Sequence, residues 1–331
     1  MVVTTVTPPI KPHHRELPLK VGTRGSPLAR AQTATFLGLL EKFCPVLREM
    51  PPVFEEHIIV TTGDAVQNRP LAEIGGKGLF AKEIHDSLAA GRIDFAVHSL
   101  KDLETVLPPS ITLACTLKRE DARDVLVLPP GHAPVDPADP FAALARGAKI
   151  GSASVRRQAQ LKHARPDLEF SLLRGNVGTR LAKVAAGEVD ATLLAYAGLR
   201  RLGLADKASV VLSPEQMVPS ACQGIVGITV RTDDVDLLQL LAAIEDPEAK
   251  AVARAERALL GALDGSCRTP IGGYARLLAD GTLHLTGLVA RADGSFLLQR
   301  SATGSVADAE IMGRELGLSL KADSPDDIFA P

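Results

Sequence analysis

The stretch LPLKVGTRGSPLARAQTATFLGLLEK, residues 17–42, decides the fold of the first half of the chain. Its first six residues, 17–22, are mostly apolar and predict a strand. Ser26 is a favoured helix N-cap residue, Pro27 stands at the first helical position, and apolar residues then recur at helical spacing. A strand that leads through a short turn into a helix ending near Lys42 is the first unit of an alternating α/β arrangement.

The same alternation of strand and helix patterns continues beyond this unit. The predicted strands are 54–61, 95–98, 149–151, 169–173, 191–195 and 225–230, and the predicted helices are 79–90, 154–165 and 177–186. This order predicts mainly parallel sheets with helices on their faces. The strand at 225–230 follows an irregular segment, 214–224, and we expect it to return to the first sheet.

A different pattern begins near residue 246. A long helix, 247–263, is followed by three strands and a final helix, at 274–278, 282–289, 295–301 and 307–321. Because these strands are consecutive rather than alternating with helices, we predict a separate α+β domain.

The sequence therefore predicts an α/β protein of three domains. Domain 1 comprises residues 17–120 and 224–242, domain 2 comprises 121–218, and domain 3 comprises 245–331. The Thr-, Pro- and His-rich start, 1–16, is expected to be a disordered tail.

The composition excludes several classes of function. Aromatic residues make up 3% of the chain and Trp is absent, which disfavours a nucleic-acid binder that stacks bases. The net charge is −2, so no overall field attracts polyanions or membranes, and no apolar run is long enough to span a bilayer. Since the first residues also lack the apolar core of a secretory signal, we expect a cytoplasmic protein without nucleic-acid or membrane partners. The even charge and the lack of an obvious apolar patch favour a monomer.

The cysteines indicate covalent chemistry rather than metal binding. Four of them lie far apart without a CxxC pair, which predicts neither a zinc site nor a disulfide framework. A lone cysteine is often a buried, inert side chain. Cys267, however, lies in the polar turn DGSCRTP, 264–270, beside Arg268, which favours the thiolate over the thiol. We therefore expect an exposed thiol that can hold a group covalently.

Basic residues are concentrated between residues 146 and 183, where nine Lys and Arg accompany two acidic residues. By count alone such a run is more typical of solvated helix faces. Here Arg156 and Arg157 follow a strand-to-helix turn, Arg174 precedes a Gly-Asn turn, and Arg180 lies in the first turn of the next helix. Ligands of open α/β sheets bind at such strand ends, and arginine binds carboxylates or phosphates bidentately. We expect a small polyanionic ligand.

The first half offers matching residues at its own strand ends. Arg24 and Ser26 lie in the turn after the first strand, and Asp102 directly follows the strand at 95–98. Catalytic groups tend to lie at this edge of an α/β sheet. Asp102 is therefore a candidate catalytic carboxylate, although in isolation a plain turn cap is an equally good interpretation. His98 is more typical of a buried core histidine.

The motif GGKG, residues 75–78, resembles a phosphate loop but lacks the Gly and the Ser/Thr that a Walker A motif requires. We predict instead a loop that carries one cation, Lys77, and could close as a lid. The sequence contains no dinucleotide fingerprint, no serine nucleophile elbow and no HExxH zinc motif.

Six motifs, in this order, resemble the hydroxymethylbilane synthase family, also called the porphobilinogen deaminase family. They are RGSPLA at 24–29, GGKGLF at 75–80, AVHSLKD at 96–102, RRQ at 156–158, LRGNVGTR at 173–180, and Cys267 before PIG at 270–272. The resemblance extends from about residue 20 to residue 307. It implies three domains, of which the first two resemble the lobes of periplasmic binding proteins and the third carries a cofactor cysteine.

The resemblance also implies a reaction. Four porphobilinogen molecules would be joined head to tail with loss of ammonia, and water would release the linear tetrapyrrole hydroxymethylbilane. The primer would be a dipyrromethane cofactor bound as a thioether to Cys267, with no metal. Each substrate carries an acetate and a propionate, which would explain clustered arginines in a chain of almost no net charge.

The same resemblance assigns roles to individual residues. Asp102 would be the catalytic carboxylate that stabilises the cation left by the departing ammonia. The residues expected to bind cofactor and substrate are Arg24, Ser26, Gln32, Lys77, Lys101, Ser152, Ser154, Arg156, Arg157, Arg174, Arg180 and Arg201.

The chain departs from the family pattern at a few positions. Leu103 and Glu104 stand where the family usually has Val-Pro, and Ser266 replaces a common Gly. Cys222 lies where small residues are usual, and it is a rival thiol but a poor candidate for attachment.

Two alternatives remain at this level. A non-catalytic, two-lobed protein that binds an organic anion would explain the arginines but not Cys267 or the third domain. A cysteine hydrolase would need a histidine near Cys267, and the nearest in sequence, His284, lies in an alternating strand.

Overall fold

The computed structural model describes residues 17–43, 54–66, 78–264 and 269–329. The predicted tail at 1–16 lies outside these ranges, and so do Lys77 and Cys267.

Every predicted strand and helix is present in the predicted order, and the described residues form three further strands and three further helices that the sequence did not predict. The strands are β1 (Leu19–Thr23), β2 (Phe54–Ile58), β3 (Phe95–Ser99), β4 (Ile111–Thr116), β5 (Asp124–Val127), β6 (Lys149–Gly151), β7 (Glu169–Ser171), β8 (Ala191–Ala195), β9 (Val210–Val211), β10 (Val226–Arg231), β11 (Ile271–Leu277), β12 (Leu283–Ala290) and β13 (Leu297–Gly304). The helices are α1 (Pro27–Phe43), α2 (Thr62–Ala65), α3 (Lys82–Ala89), α4 (Val155–Ala164), α5 (Val177–Ala185), α6 (Tyr196–Arg201), α7 (Val235–Ala242), α8 (Pro247–Ala262) and α9 (Ala309–Ala322).

The first five-stranded sheet has the order β2-β1-β3-β10-β4, and with α1, α2, α3 and α7 it forms what we call lobe 1. Helix α1 begins where the sequence predicts, since Ser26 Oγ accepts a hydrogen bond from Ala29 N. Its apolar side chain Phe36 is fully buried against Phe95 of β3, with ring centroids 5.2 Å apart. The apolar periodicity of α1 therefore fixes this helix against the sheet.

The second sheet has the order β7-β6-β8-β5-β9, and with α4, α5 and α6 it forms lobe 2. Leu161 of α4 packs in the same buried cluster as Ile150 and Leu193 of the sheet. Val184 of α5 packs in a second cluster with Leu194. Because neighbouring residues of β8 belong to different clusters, the sheet is covered on both faces.

Both sheets are mixed, which corrects the prediction of mainly parallel pairing. In lobe 1, β1 pairs in parallel with β2 and β3, but β10 is antiparallel to β3 and β4. In lobe 2, β6 pairs in parallel with β7 and β8, but β5 is antiparallel to β8 and β9. The reversed strands, β5 and β10, are the two that enter a lobe from the other lobe. Strand β10 does return to the first sheet, as predicted.

The chain crosses between the lobes twice, first between β4 and β5 and then between β9 and β10. These two crossings lie side by side. Leu117 N donates to Val226 O, and Glu120 N donates to Gly224 O at 3.0 Å. Gly224 has a φ of +89°, and a Cβ there would lie 2.3 Å from Glu120 O. The close pairing of the crossings therefore requires glycine at this position.

A third sheet, β11-β12-β13, is antiparallel and packs with α8 and α9 as the predicted α+β unit, which we call domain 3. Its apolar cluster also contains Leu100 and Leu103 of lobe 1. Domain 3 therefore packs directly beneath the end of β3.

A buried ion pair also ties domain 3 to the crossings. Glu256 of α8 is fully buried and binds both terminal nitrogens of Arg119, at 2.7 and 3.2 Å. The same carboxylate accepts hydrogen bonds from Cys222 N and Ala275 N. Among the described helices, none is long and apolar enough to cross a membrane.

Candidate functional site

Asp102 lies at the carboxyl end of β3, as the sequence predicts, in a short 3-10 turn, Leu100–Asp102. Leu100 and Leu103 on either side are buried in the apolar cluster of domain 3. Arg257 of α8 donates to the carbonyl of Glu104 at 2.7 Å. The turn is thus held from domain 3, while the Asp102 side chain itself remains 31% exposed.

Arg24 stands between two carboxylates of lobe 1. Its Nη2 and Nε bind Asp64 at 2.5 and 3.0 Å, and its Nη1 lies 3.4 Å from Asp102 Oδ2. The guanidinium also stacks 4.3 Å from the centroid of the Phe80 ring. Thr61 Oγ1 donates to Asp64 at 2.8 Å. Sequence reasoning missed Asp64, whose signal was only an acidic residue shortly after a predicted strand.

Two arginines of lobe 2 face this group. Arg174 Nη2 donates to the carbonyl of Gly63 at 3.0 Å and so bridges the lobes. The Nε of Arg180 is buried and has no hydrogen-bond partner among the described residues. Burial, together with the charges of Arg157 and Arg174 and against the opposing charge of Asp102, lowers the pKa of Arg180 to about 10. The environment of Arg180 therefore favours the binding of an anion.

Arg156 and Arg157 are buried, and the carboxylate that they bind is Asp124 of β5. Arg156 Nη1 lies 2.7 Å from one Asp124 oxygen, and Arg157 Nη2 lies 2.7 Å from the other. Burial alone would raise the pKa of Asp124, but the two guanidinium groups hold it well below its usual range. The sequence signal for Asp124, an acid at the start of an apolar strand, was overlooked.

Lys101 lies between the lobes beside the second crossing. Its Nζ donates to Gln223 Oε1 at 3.1 Å. Burial, with a smaller contribution from Arg157 and against the opposing charge of Asp102, lowers the pKa of Lys101 to about 8. A side chain that loses its charge near neutral pH is suited to a pH-dependent contact with an anion.

The remaining predicted residues make supporting contacts. Gln32 is buried and exchanges hydrogen bonds with Ser99. Ser154 caps α4 through Arg157 N, and its own N–H donates to Ser152 Oγ at 3.1 Å. Arg201 Nη2 donates to the carbonyl of Gly224 at 2.7 Å. Gln32, Lys101 and Arg201 line one small cavity between the lobes.

Cys267 and Lys77 lie outside the described residues, but the strand that follows Cys267 is described. Gly272 of β11 approaches Val218 so closely that a Cβ would lie 2.8 Å from its side chain. The carbonyl of Val218 accepts a hydrogen bond from Arg156 at 2.6 Å. The strand that follows Cys267 therefore packs against Val218, whose carbonyl binds Arg156.

The two histidines considered above, His98 and His284, are each engaged in a hydrogen bond within the fold. His98 is buried and hydrogen-bonded to Thr229 at 2.9 Å, and burial, with smaller effects of His85 and Arg24, lowers its pKa to about 3. It is a core histidine, as predicted. His284 is bound to Thr303 on the neighbouring strand.

A metal site is not formed by the described residues, in which no group of three His, Cys, Asp or Glu side chains could hold a metal ion.

Family models match the chain in two consecutive parts. The model described as the porphobilinogen deaminase, dipyromethane cofactor binding domain matches residues 19–239. The model described as the porphobilinogen deaminase, C-terminal domain matches residues 250–322.

Curated relatives match nearly the whole chain. A porphobilinogen deaminase of Syntrophobacter fumaroxidans is 43% identical over 91% of this chain and 94% of its own length. That of Nitrobacter winogradskyi is 45% identical over 93% and 94%, respectively. A chloroplastic porphobilinogen deaminase of Oryza sativa is 44% identical over 94% of this chain and 85% of its own length.

Two solved structures show distant likenesses to the chain. The VFT2 domain of BvgS from Bordetella pertussis is 16% identical with a TM-score of 0.41, over 71% of this chain and 91% of that chain. A periplasmic binding protein of an arginine transport system from Legionella pneumophila is 13% identical with a TM-score of 0.38, over 68% and 91%.

Proposed function

The chain belongs to the porphobilinogen deaminase family, and we propose that Asp102, the cleft arginines and Cys267 carry out the family's reaction in it. The enzyme joins four porphobilinogen molecules head to tail with loss of ammonia, and water releases hydroxymethylbilane. The family relation favours this reaction over the alternative of a non-catalytic anion-binding protein.

The observation that carries the assignment of the cleft is the environment of Arg180. Its buried Nε has no partner among the described residues, and Arg157 and Arg174 add positive charge around it. Leaving a buried guanidinium nitrogen unpaired is costly, so a bound anion is expected there. Porphobilinogen and its products bring an acetate and a propionate on every pyrrole ring, which supports this site as their carboxylate pocket.

The residues of this pocket also fit a dipyrromethane group. Two linked pyrroles carry four carboxylates. Lys101 of lobe 1 and Arg180 of lobe 2 are cations that both feel the charge of Asp102, and Arg174 reaches across the lobes to the carbonyl of Gly63. The strand after Cys267 passes beside the carbonyl that Arg156 binds, which supports attachment of the group at Cys267. When bound, the group supplies the pyrrole to which the first substrate is joined.

Arg156 and Arg157 are proposed to favour carboxylate binding through their net positive charge. Two guanidinium groups and one Asp124 carboxylate leave one net positive charge inside lobe 2. Helix α4, which carries both arginines, also points its N-terminus to this edge of the sheet, where Ser152 and Ser154 lie. Both features favour carboxylates at this position.

Asp102 is proposed to be the catalytic carboxylate. As the aminomethyl group of porphobilinogen loses ammonia, the C–N electron pair leaves with the nitrogen and positive charge develops on the pyrrole. A fixed carboxylate that is partly exposed can stabilise this charge and accept a hydrogen bond from the pyrrole N–H. Arg24, bound mainly to Asp64, orients the Asp102 carboxylate without neutralising it.

We further propose a division into domains at 17–120 with 224–242, 121–218 and 245–331, which the membership of the strands in three sheets supports. A cytoplasmic monomer is also proposed. The described cysteines, Cys115 and Cys222, are free and buried, which fits a reducing compartment. Light scattering of the purified protein would test the oligomeric state.

The experiment that tests the proposed function is the intact mass of the purified protein beside that of its Cys267→Ser variant. We expect a covalent addition equal to two linked pyrroles on the wild type and none on the variant. A matched Cys222→Ser variant should keep the addition. An unmodified wild type that stays unmodified after incubation with porphobilinogen would contradict the proposal.

A further inference from the structure

The side chain of Gln223 connects the two lobes at the floor of the cleft. Its Oε1 accepts a hydrogen bond from Lys101 Nζ at 3.1 Å, and its Nε2 donates to Asp124 Oδ1 at 2.9 Å. Lys101 follows β3 in lobe 1, and Asp124 begins β5 in lobe 2. One amide therefore contacts a cation of one lobe and a carboxylate of the other.

The charges on either side fix the orientation of this amide. A flipped amide would point its NH₂ at the Lys101 ammonium and its carbonyl oxygen at the Asp124 carboxylate, and both contacts would be repulsive. The Nε2 also donates to the carbonyl of Ala122 at 2.7 Å, which an oxygen in its place could not do. Gln223 is the one common neutral side chain that offers an acceptor and two donors at this length.

The backbone of Gln223 is fixed as well. Its carbonyl accepts a hydrogen bond from Arg119 Nε at 2.9 Å, and the preceding N–H, that of Cys222, donates to Glu256. The Gln223 side chain is almost completely buried. The amide is therefore held at a set position relative to both lobes and to domain 3.

We propose that Gln223 is a positioning residue that sets the distance between Lys101 and the cluster formed by Asp124, Arg156 and Arg157. Because Asp124 binds both arginines at 2.7 Å, a shift of Gln223 is passed to them as well as to Lys101. The spacing of these cations decides where the carboxylates of the growing pyrrole chain bind. This inference rests on the proposed function of the cleft.

Two substitutions separate positioning from a merely structural role. Gln223→Met keeps the size of the side chain but removes every hydrogen bond that it makes. Gln223→Glu keeps an acceptor for Lys101, adds a negative charge and removes the donors to Asp124. Gln216→Met is a matched control, since Gln216 is hydrogen-bonded to Pro137 and Ser213 away from the cleft.

The readout is the pH titration of the Lys101 side chain in the holoenzyme, followed by NMR with ¹³C-labelled lysine. The Lys101 resonance is assigned by its loss in Lys101→Arg. In Gln223→Met the titration midpoint should fall by about one pH unit, because the ammonium loses an acceptor. In Gln223→Glu it should rise by about one pH unit or more, because a carboxylate faces the ammonium. Gln216→Met should not move it.

Kinetics supply the second readout. In Gln223→Met the KM for porphobilinogen should rise about tenfold while kcat changes by less than about threefold, because carboxylate binding and not bond making is affected. Shifts of the Lys101 midpoint in the same direction in both variants, or no shift in either, would overturn the inference.

Folding and function are controlled separately. If Gln223→Met does not fold, Gln223→Asn replaces it, since its shorter amide cannot reach both partners and should also lower the midpoint. A wild type that forms no hydroxymethylbilane would contradict the proposed function, whereas the Lys101 titration would still report on Gln223.

Discussion

Arg24 Nη1 lies 3.4 Å from Asp102 Oδ2, while the other nitrogens of the same guanidinium are bound to Asp64. The cation beside Asp102, the proposed catalytic carboxylate, is thus anchored to a different acid. Asp102 gains an oriented neighbour and yet remains available to a cationic reaction centre. This arrangement has consequences that can be measured at both carboxylates.

Replacing Asp64, which anchors Arg24, should impair catalysis although Asp64 is not proposed to contact the substrate. In Asp64→Asn the Arg24 guanidinium loses its main ion pair and can bind Asp102 more closely, which neutralises the carboxylate. We expect kcat to fall about 10- to 100-fold, the size of effect that a misplaced catalytic group produces. Steady-state kinetics with porphobilinogen measure this change.

An exposed acid of domain 3 offers a control for that variant. Asp280 accepts hydrogen bonds from Thr282 in a surface turn, and Asp280→Asn should leave kcat unchanged. Equal kcat values for Asp64→Asn and the wild type would contradict the anchoring role.

Arg180 should be needed for binding but not for stability. In Arg180→Met the KM for porphobilinogen is expected to rise about 10- to 100-fold, as for a buried carboxylate that loses its partner. The thermal midpoint, measured in the Cys267→Ser background, should stay the same or rise, because Arg180 Nε has no partner among the described residues.

The opposite pattern is expected at Arg165, which lies away from the cleft. Arg165 binds Asp167 and the carbonyl of Phe141, so Arg165→Met should lower the thermal midpoint and leave KM unchanged. A lower thermal midpoint in Arg180→Met than in Arg165→Met would show that Arg180 is a structural residue.

The pH dependence of substrate capture should reflect Lys101. Burial lowers the pKa of this side chain to about 8 from the usual 10.5, so its positive charge is lost as the pH rises through 8 rather than above 10. Since the charged form binds carboxylates, kcat/KM should fall above about pH 8. In Lys101→Arg the fall should move to higher pH, because arginine stays protonated. Identical profiles for the two proteins would exclude Lys101 as the titrating group.

The ion pair between domain 3 and the crossings should dominate stability. Glu256→Ala leaves the partly buried Arg119 without its carboxylate and the N–H groups of Cys222 and Ala275 without their acceptor, and we expect the free energy of unfolding to fall by about 3–5 kcal/mol. Urea denaturation followed by circular dichroism measures this loss. The double variant Arg119→Leu with Glu256→Leu should be less destabilised than Glu256→Ala. A loss in the double variant equal to the sum of the losses in Arg119→Leu and Glu256→Leu would contradict this account.

Local sequence signals predicted most elements because they depend on neighbouring residues. Ser26 caps α1 as predicted, the predicted helix at 154–165 begins with Ser154 as its cap, and Gly187, at a φ of +72°, follows the helix predicted to end there. The predicted strand at 54–61 was too long, since β2 ends at Ile58. Strand direction was not accessible in the same way, because β5 and β10 are reversed by chain crossings that no local pattern encodes.

In the candidate site, too, local signals were predictive and contacts between distant parts of the chain were not. Strand-end positions predicted that Asp102, Arg24 and Arg180 lie near one another, because the carboxyl ends of the parallel strands meet at one edge of each sheet. Asp124 and Gln223 were missed because their roles depend on partners far away in sequence. A buried acid at the first position of an apolar strand is the signal that could have marked Asp124.

The most direct test of the central claim is porphobilinogen turnover by Asp102→Asn, with intact mass measured on the same sample. The substitution keeps the shape of the side chain and removes its charge. We expect the mass of the two linked pyrroles to be retained and the rate to fall by about 10²–10³ or more, because electrostatic stabilisation of the developing cation is lost. Turnover at the wild-type rate by a fully loaded Asp102→Asn protein would contradict the account.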